Sequence, residues 1–338
     1  MKYTGENKLE LFANNAQIIK KEFTWQNALT KRLAALLYAQ EGKTIDCEAI
    51  RQCHALIKQS TGAFSTFRGN MALSLAAMLS LSANPQDVLR ETMKVYDLLK
   101  GVKLRASDFL VIAAYLIATQ SDASDYRNVV TRTRSFYDGM KARHFFYTGQ
   151  DDYIFAAMLG LTDLDTVAGT ERIEQIHSLL KGEFRDKNSV QALAQVMVLG
   201  ESDDSISDRV LVLRDTLRVQ KIKLDKAYTL PVLGILALLP VEIETIARDI
   251  GKAQDTLRAK KGFGSLSVTT QELLLFAASI VASDYTESVK GGIDGNTFDK
   301  YQQYYYRTAG CYDSSHFRLH RGGCIVIIIE NSNFSQQR

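Results

Sequence analysis

The chain has 338 residues, 46% of them hydrophobic and 23% charged, a globular balance that excludes intrinsic disorder and leaves room for one to three domains. Its 41 basic and 38 acidic residues leave a formal charge of +3, too slight for bulk electrostatics to recruit nucleic acid or a membrane surface; any such case has to be local. Only three prolines are present, Pro85, Pro231 and Pro240, where average usage is roughly 5%, so long uninterrupted helices and an all-α fold are expected.

In chain order, residues 1–15 lack the apolar core of a secretory signal, and a cytoplasmic protein is expected. Residues 8–23, 25–39 and 46–58 read as three helices, with Trp25, Leu29, Leu33, Leu36 and Leu37 on one apolar face. They form an N-terminal helical cap over residues 1–62. Cys47 and Cys53 lie six apart on the third helix and point to different faces, so no disulfide framework is implied.

A short apolar block then recurs, starting at Ala76, Ala113, Ala156, Ala194, Leu233 and Phe276, with separations of 37, 43, 38, 39 and 43 residues. A period of about 40 is that of two-helix repeats. Each block is rich in small residues, as suits an inner helix packed on several sides. Each of the first five is followed by an amphipathic outer helix, over 88–100, 126–141, 171–181, 207–221 and 243–260. A capping side chain is expected ahead of every block at Asn70, Asp108, Asp151, Ser189, Thr229 and Thr270, and Asn84 is expected to cap a helix opened by Pro85. Residues 63–285 are thus expected to be a solenoid-like array of stacked helical hairpins. The longest apolar run, residues 230–241, is too short to span a bilayer.

Several stretches carry a resemblance. These are Phe67-Arg68-Gly69, Met140-Lys141-Ala142-Arg143-His144, Thr148-Gly149-Gln150-Asp151-Asp152 and Phe155-Ala156-Ala157-Met158-Leu159, supported by residues 32–35 and 261–264. Through them the chain resembles an uncharacterised family from Firmicutes known only as a domain of unknown function. The resemblance extends to about residue 300. It implies a bacterial cytoplasmic protein and lends no activity.

His144, Asp151 and Asp152 are the one place where a histidine and two carboxylates lie close in sequence, and Arg68 is the cation whose convergence with them would make a catalytic site. The simpler reading makes His144 the cationic end of an outer helix and Asp151 a repeated cap. Asp203 and Asp204 are read in the same way. Phosphate-cradling loops, dinucleotide fingerprints, nucleophile elbows and zinc-protease motifs are all missing. The outer helices end in basic residues, Lys100, Lys103 and Arg105, then Lys141 and Arg143, Lys181 and Arg185, Lys221 and Lys223, and finally Arg258, Lys260 and Lys261. Helix-dipole complementarity explains these better than a phosphate-binding ridge. Phe145, Phe146, Tyr147 and Phe263 are read as core staples.

Residues 286–338 are read as a tail that is disordered or translated in a shifted frame. After about residue 300 helical periodicity stops, and Cys311, His316, His320 and Cys324 match no common zinc spacing. If residues 320–324 are encoded CAT CGC GGC GGC TGC, the next frame reads Ile followed by alanines, and ATC isoleucine codons become serine codons. Sequencing the gene is expected to show an alanine- and serine-rich continuation in that frame; immediate stop codons there would refute the idea. The expectation from sequence is therefore a non-enzymatic scaffold for a protein or peptide partner, with no cofactor, no metal and no membrane partner. A small-ligand or catalytic pocket near His144 and Asp151 is the alternative, and nucleic acid, through the basic helix ends, comes third.

Overall fold

A computed structural model of the chain describes residues 6–200 and 205–292. Asp203, Asp204 and the tail with Cys311, His316, His320 and Cys324 lie outside the described residues. Those described form fourteen α-helices and no strand, as the scarcity of proline and the 3.6-residue periodicity required. The helices are α1 (Glu6–Glu22), α2 (Ala28–Gln40), α3 (Cys47–Ser60), α4 (Ala72–Ser80), α5 (Pro85–Gly101), α6 (Asp108–Gln120), α7 (Tyr126–Arg143) and α8 (Tyr153–Gly160). They continue with α9 (Thr166–Leu180), α10 (Lys187–Leu199), α11 (Ser205–Val219), α12 (Leu230–Leu238), α13 (Ile243–Ala259) and α14 (Thr270–Gly292), and short 3-10 turns cover Thr66–Arg68 and Ala227–Thr229. Among the described residues no helix is long and apolar enough to cross a membrane. Cys47 and Cys53 are both buried and free.

The helices belong to two compact units, residues 14–168 and residues 1–13 with those from 169 onward. In the first, α4 packs on α2 and α3, α6 on α5, α8 on α7, and α6 on α8. In the second, α12 packs on α10, α11 and α14, and α13 on α11 and α14, while Phe12 fills the core between Phe263 and Phe276, with ring centroids 5.2 and 5.0 Å away. Helices α4, α6, α8, α10 and α12 contain the apolar blocks, and most of their side chains are buried. Each fully buried Leu, Ile or Phe contributes roughly 1.5–3 kcal/mol, so these short helices carry much of the stability. The flanking α3, α5, α7, α11 and α13 bury one face only.

Arginines close the joints between these helices. On α7, Arg132 donates from Nε to the Gly160 carbonyl (3.1 Å) and from Nη2 to those of Thr162 and Leu164 (2.6 and 2.5 Å). On α11, Arg209 donates from Nε to the Ala237 carbonyl (2.7 Å) and from Nη2 to Leu239 and Val241 (2.9 and 2.5 Å). Both arginines reach acceptors 28, 30 and 32 residues ahead. Each satisfies the orphan carbonyls at the end of a buried helix, α8 or α12, with a charged planar fork. The same joint fixes Gly160: a Cβ there would lie 2.5 Å from Thr133 Oγ1, 2.9 Å from Thr133 N and 3.1 Å from Thr133 Cα. Only glycine lets the end of α8 approach the backbone of α7 so closely.

Asn84 caps α5 with Pro85 in its first turn, as expected. The expected register of caps ahead of the apolar blocks needs correction. Ser107 caps α6 in place of Asp108, Asp186 caps α10 in place of Ser189, and the Thr269 hydroxyl accepts from Glu272 N at the start of α14 in place of Thr270. Helix α4 starts after Met71 with no side-chain cap, and Asn70 instead receives one: its backbone N–H donates to the Asp108 carboxylate (3.2 Å). Thr229 stands at the cap position of α12, but its hydroxyl donates to the carbonyls of Leu224 and Lys226. Each helix start offers several short polar residues, and packing decides which of them sits where the chain turns.

Candidate functional site

The expected site residues lie mainly in the turn between α7 and α8. His144 ends α7, its N–H donating to the Met140 carbonyl (2.8 Å), and its own carbonyl accepts from the N–H groups of Tyr147 and Thr148 (3.0 and 2.9 Å), so the chain doubles back. The His144 ring stands 6.0 Å from that of Tyr147. Lys141, one turn earlier on α7, donates to the carbonyl of the buried Thr148 (3.0 Å), and its ammonium lies 5.7 Å from the Tyr137 ring and 5.1 Å from the Phe145 ring. Tyr153, the first residue of α8, packs edge-on against Tyr137 at 4.9 Å and accepts from the Arg105 N–H (3.1 Å).

Asp152 is buried, and its carboxylate accepts from the Gly149 N–H (2.8 Å), turning away from the α8 amides. Asp151 is therefore not the cap of α8, and neither carboxylate serves as one. Its carboxyl is half-buried against Gly149, where a side chain on residue 149 would strike it. Burial, and then the charge of Asp152, push the Asp151 carboxyl up to about 7, while the backbone N–H groups of residues 151 and 152 pull the other way. The Tyr137 hydroxyl is pushed up to about 12, by burial first and then by Tyr153 and Asp152. Arg68 serves another element: it donates from Nε to Thr61 Oγ1 (3.2 Å) and from Nη2 to the Lys58 and Thr61 carbonyls at the end of α3.

Chemically, the turn offers two adjacent carboxyls, one of which holds its proton close to neutral pH, beside two tyrosines and a lysine. Such a group can exchange a proton. It also has a plain consequence for folding. The folded carboxyl of Asp151 lies above the value of about 4 in an unfolded chain, so the fold retains the proton more tightly. Its contribution to stability is complete below about pH 4 and is lost as pH rises toward 7. Asp151→Asn is expected to change little at pH 4.5 and to raise stability by about 1–2 kcal/mol at pH 7.5, measured by urea unfolding at both pH values. An identical gain at both would contradict the assignment.

Two further expectations are corrected. Trp25 does not lie on the apolar face of α2, and Phe145, Phe146 and Tyr147 are not core staples; all four are exposed, whereas Phe263 is fully buried. Part of the basic series at helix ends closes local turns: Arg258 donates to the Phe263 and Val268 carbonyls (2.8 and 3.0 Å), and Lys260 pairs with Glu10. Sequence reasoning missed Arg132 and Arg209, because arginines in mid-helix look like solvated charges. Their signal was positional, since each stands 24 residues before the start of an apolar block.

Among the described residues, helices of alternating burial, arginine-closed joints and a carboxyl-bearing turn define an all-helical fold with a candidate site in that turn. The chain belongs to the family described as protein of unknown function (DUF4003), whose sequence profile matches residues 15–304. No curated protein and no solved structure matches it.

Proposed function

We propose that the chain is a non-enzymatic scaffold of stacked helical hairpins that binds a protein or peptide partner. The observation that supports it best is the recurrence of one joint, an outer-helix arginine holding the end of the next apolar helix at offsets of 28, 30 and 32 residues, at Arg132 and again at Arg209. A repeated joint is what a hairpin array needs, because each unit must orient its successor in the same way. Arg68, the cation a catalytic reading would draw toward the carboxylates, is tied to the end of α3. Asp151 favours the second reading, a small-ligand or catalytic pocket, because a carboxyl held near neutrality suits proton transfer.

The two readings separate in cells that carry the gene. Under the scaffold reading, an Asp151→Asn/Asp152→Asn chain that still folds complements a deletion fully and forms the same discrete adducts from a photo-crosslinker at the exposed position 212 on α11. Loss of complementation with intact folding and unchanged adducts would favour the pocket.

A further inference from the structure

The turns that precede α2, α4, α6 and α8, residues 23–27, 61–71, 102–107 and 144–152, lie at one end of the first unit. The Asp108 carboxylate meets the Asn70 N–H, which joins the turns before α4 and α6. The Arg105 N–H meets the Tyr153 hydroxyl, which joins those before α6 and α8. At the opposite end the Tyr38 and Ser80 hydroxyls meet (2.7 Å), so α2 and α4 run side by side in the same direction.

This end carries the unit's most exposed aromatic side chains. Trp25 is 100% exposed, Phe64 104%, Phe146 92% and Phe145 67%. Lys58, Lys103, Arg105 and Arg143 are exposed among them. Of the carboxylates near this end, Glu22 pairs with Arg51, Asp108 accepts from Asn70 and Asp152 from Gly149, while Asp151 is half-buried and Asp97 is exposed on α5. The opposite end is acidic, with Asp122, Asp125, Asp163 and Asp165 exposed in its turns. The two ends offset each other, which is why the net charge hides the polarity.

We infer that this end of the first unit docks peripherally on an anionic lipid bilayer, with Trp25, Phe64 and Phe146 entering the headgroup region and the cations facing lipid phosphates. Aromatic rings favour that interface, and a lysine or arginine near an anionic surface adds attraction. The exposed side chains come from three separate turns, so a deformable surface covers all of them where a rigid partner would need a pocket for each. The inference is independent of the scaffold reading.

Trp25 is the chain's only tryptophan, so its emission reports this end directly. The full chain is mixed at low salt with vesicles of equal parts phosphatidylglycerol and phosphatidylcholine, or of phosphatidylcholine alone, and followed by flotation and Trp25 emission. Binding with a blue shift is expected on the anionic vesicles only, and added salt should weaken it. Lys103→Glu and Arg105→Glu should each weaken it roughly fivefold or more, and Phe64→Ser/Phe146→Ser about tenfold, with circular dichroism and melting unchanged. No binding to anionic vesicles, equal binding to neutral ones, or unchanged binding by these variants would overturn the inference. So would the same blue shift with soluble polyglutamate and none with vesicles, which would mark an acidic polypeptide as the partner.

Discussion

Gly160→Ala is expected to destabilise the fold by about 3 kcal/mol, near the upper end for a single added methyl group. The reason is what the methyl meets. Thr133 N and Cα, 2.9 and 3.1 Å from the new Cβ, are backbone atoms of α7 and cannot rotate away, and Thr133 Oγ1 is held by its own bond to the Val129 carbonyl (2.8 Å). Relief requires the end of α8 to withdraw from α7, which stretches the three bonds made by Arg132. Gly101→Ala is the matched control. Gly101 ends α5 with open space where a Cβ would go, and the change should gain about 0.5 kcal/mol through helix propensity. Urea unfolding of the pair measures both. Equal, small effects would mean that α7 and α8 are not in the close approach described.

Arg132→Ala is expected to cost about 3 kcal/mol as well, by a different route. Hydrogen bonds from a charged donor contribute roughly 1.5–3 kcal/mol each, discounted here because the guanidinium is half-buried and water can replace part of what it gives. Three carbonyls lose their shared partner at once. Arg132→Lys should recover about 1 kcal/mol or less, since an ammonium brings the charge without the planar fork that spans Gly160, Thr162 and Leu164. Full recovery by lysine would make the joint a matter of charge at a helix end alone.

Much of the fold was legible in the sequence because it rests on periodicity. The outer helices at 126–143 and 243–259 begin at the positions their amphipathic pattern indicates, and Asn84 with Pro85 opens α5. Apolar blocks became buried helices because a run such as Phe155-Ala156-Ala157-Met158-Leu159 has no polar face to present to water. What was illegible depended on contacts distant in the chain. Asp108 reads as a cap by composition, yet its carboxylate receives the amide of Asn70, 38 residues away. The partner of Arg68 proved to be the end of α3, a local helix terminus, and no local pattern in the sequence decides between that and the convergence with His144, Asp151 and Asp152 that a catalytic site would need. Aromatic residues are assigned to the core by default, and nothing local distinguishes the buried Phe263 from the exposed Phe64.

The scaffold reading rests most heavily on the equivalence of the two arginine joints, and native-state hydrogen exchange on Arg132→Ala and Arg209→Ala measures it directly. Equivalent joints predict matching, local effects: faster exchange in α8 and residues 161–164 for Arg132→Ala, and faster exchange of similar size in α12 and residues 239–241 for Arg209→Ala. In the unaltered chain the buried α4, α6, α8, α10 and α12 should exchange more slowly than the outer helices beside them. Effects confined to one variant, or slower exchange in the outer helices than in the apolar blocks, would contradict a hairpin array built on a common joint.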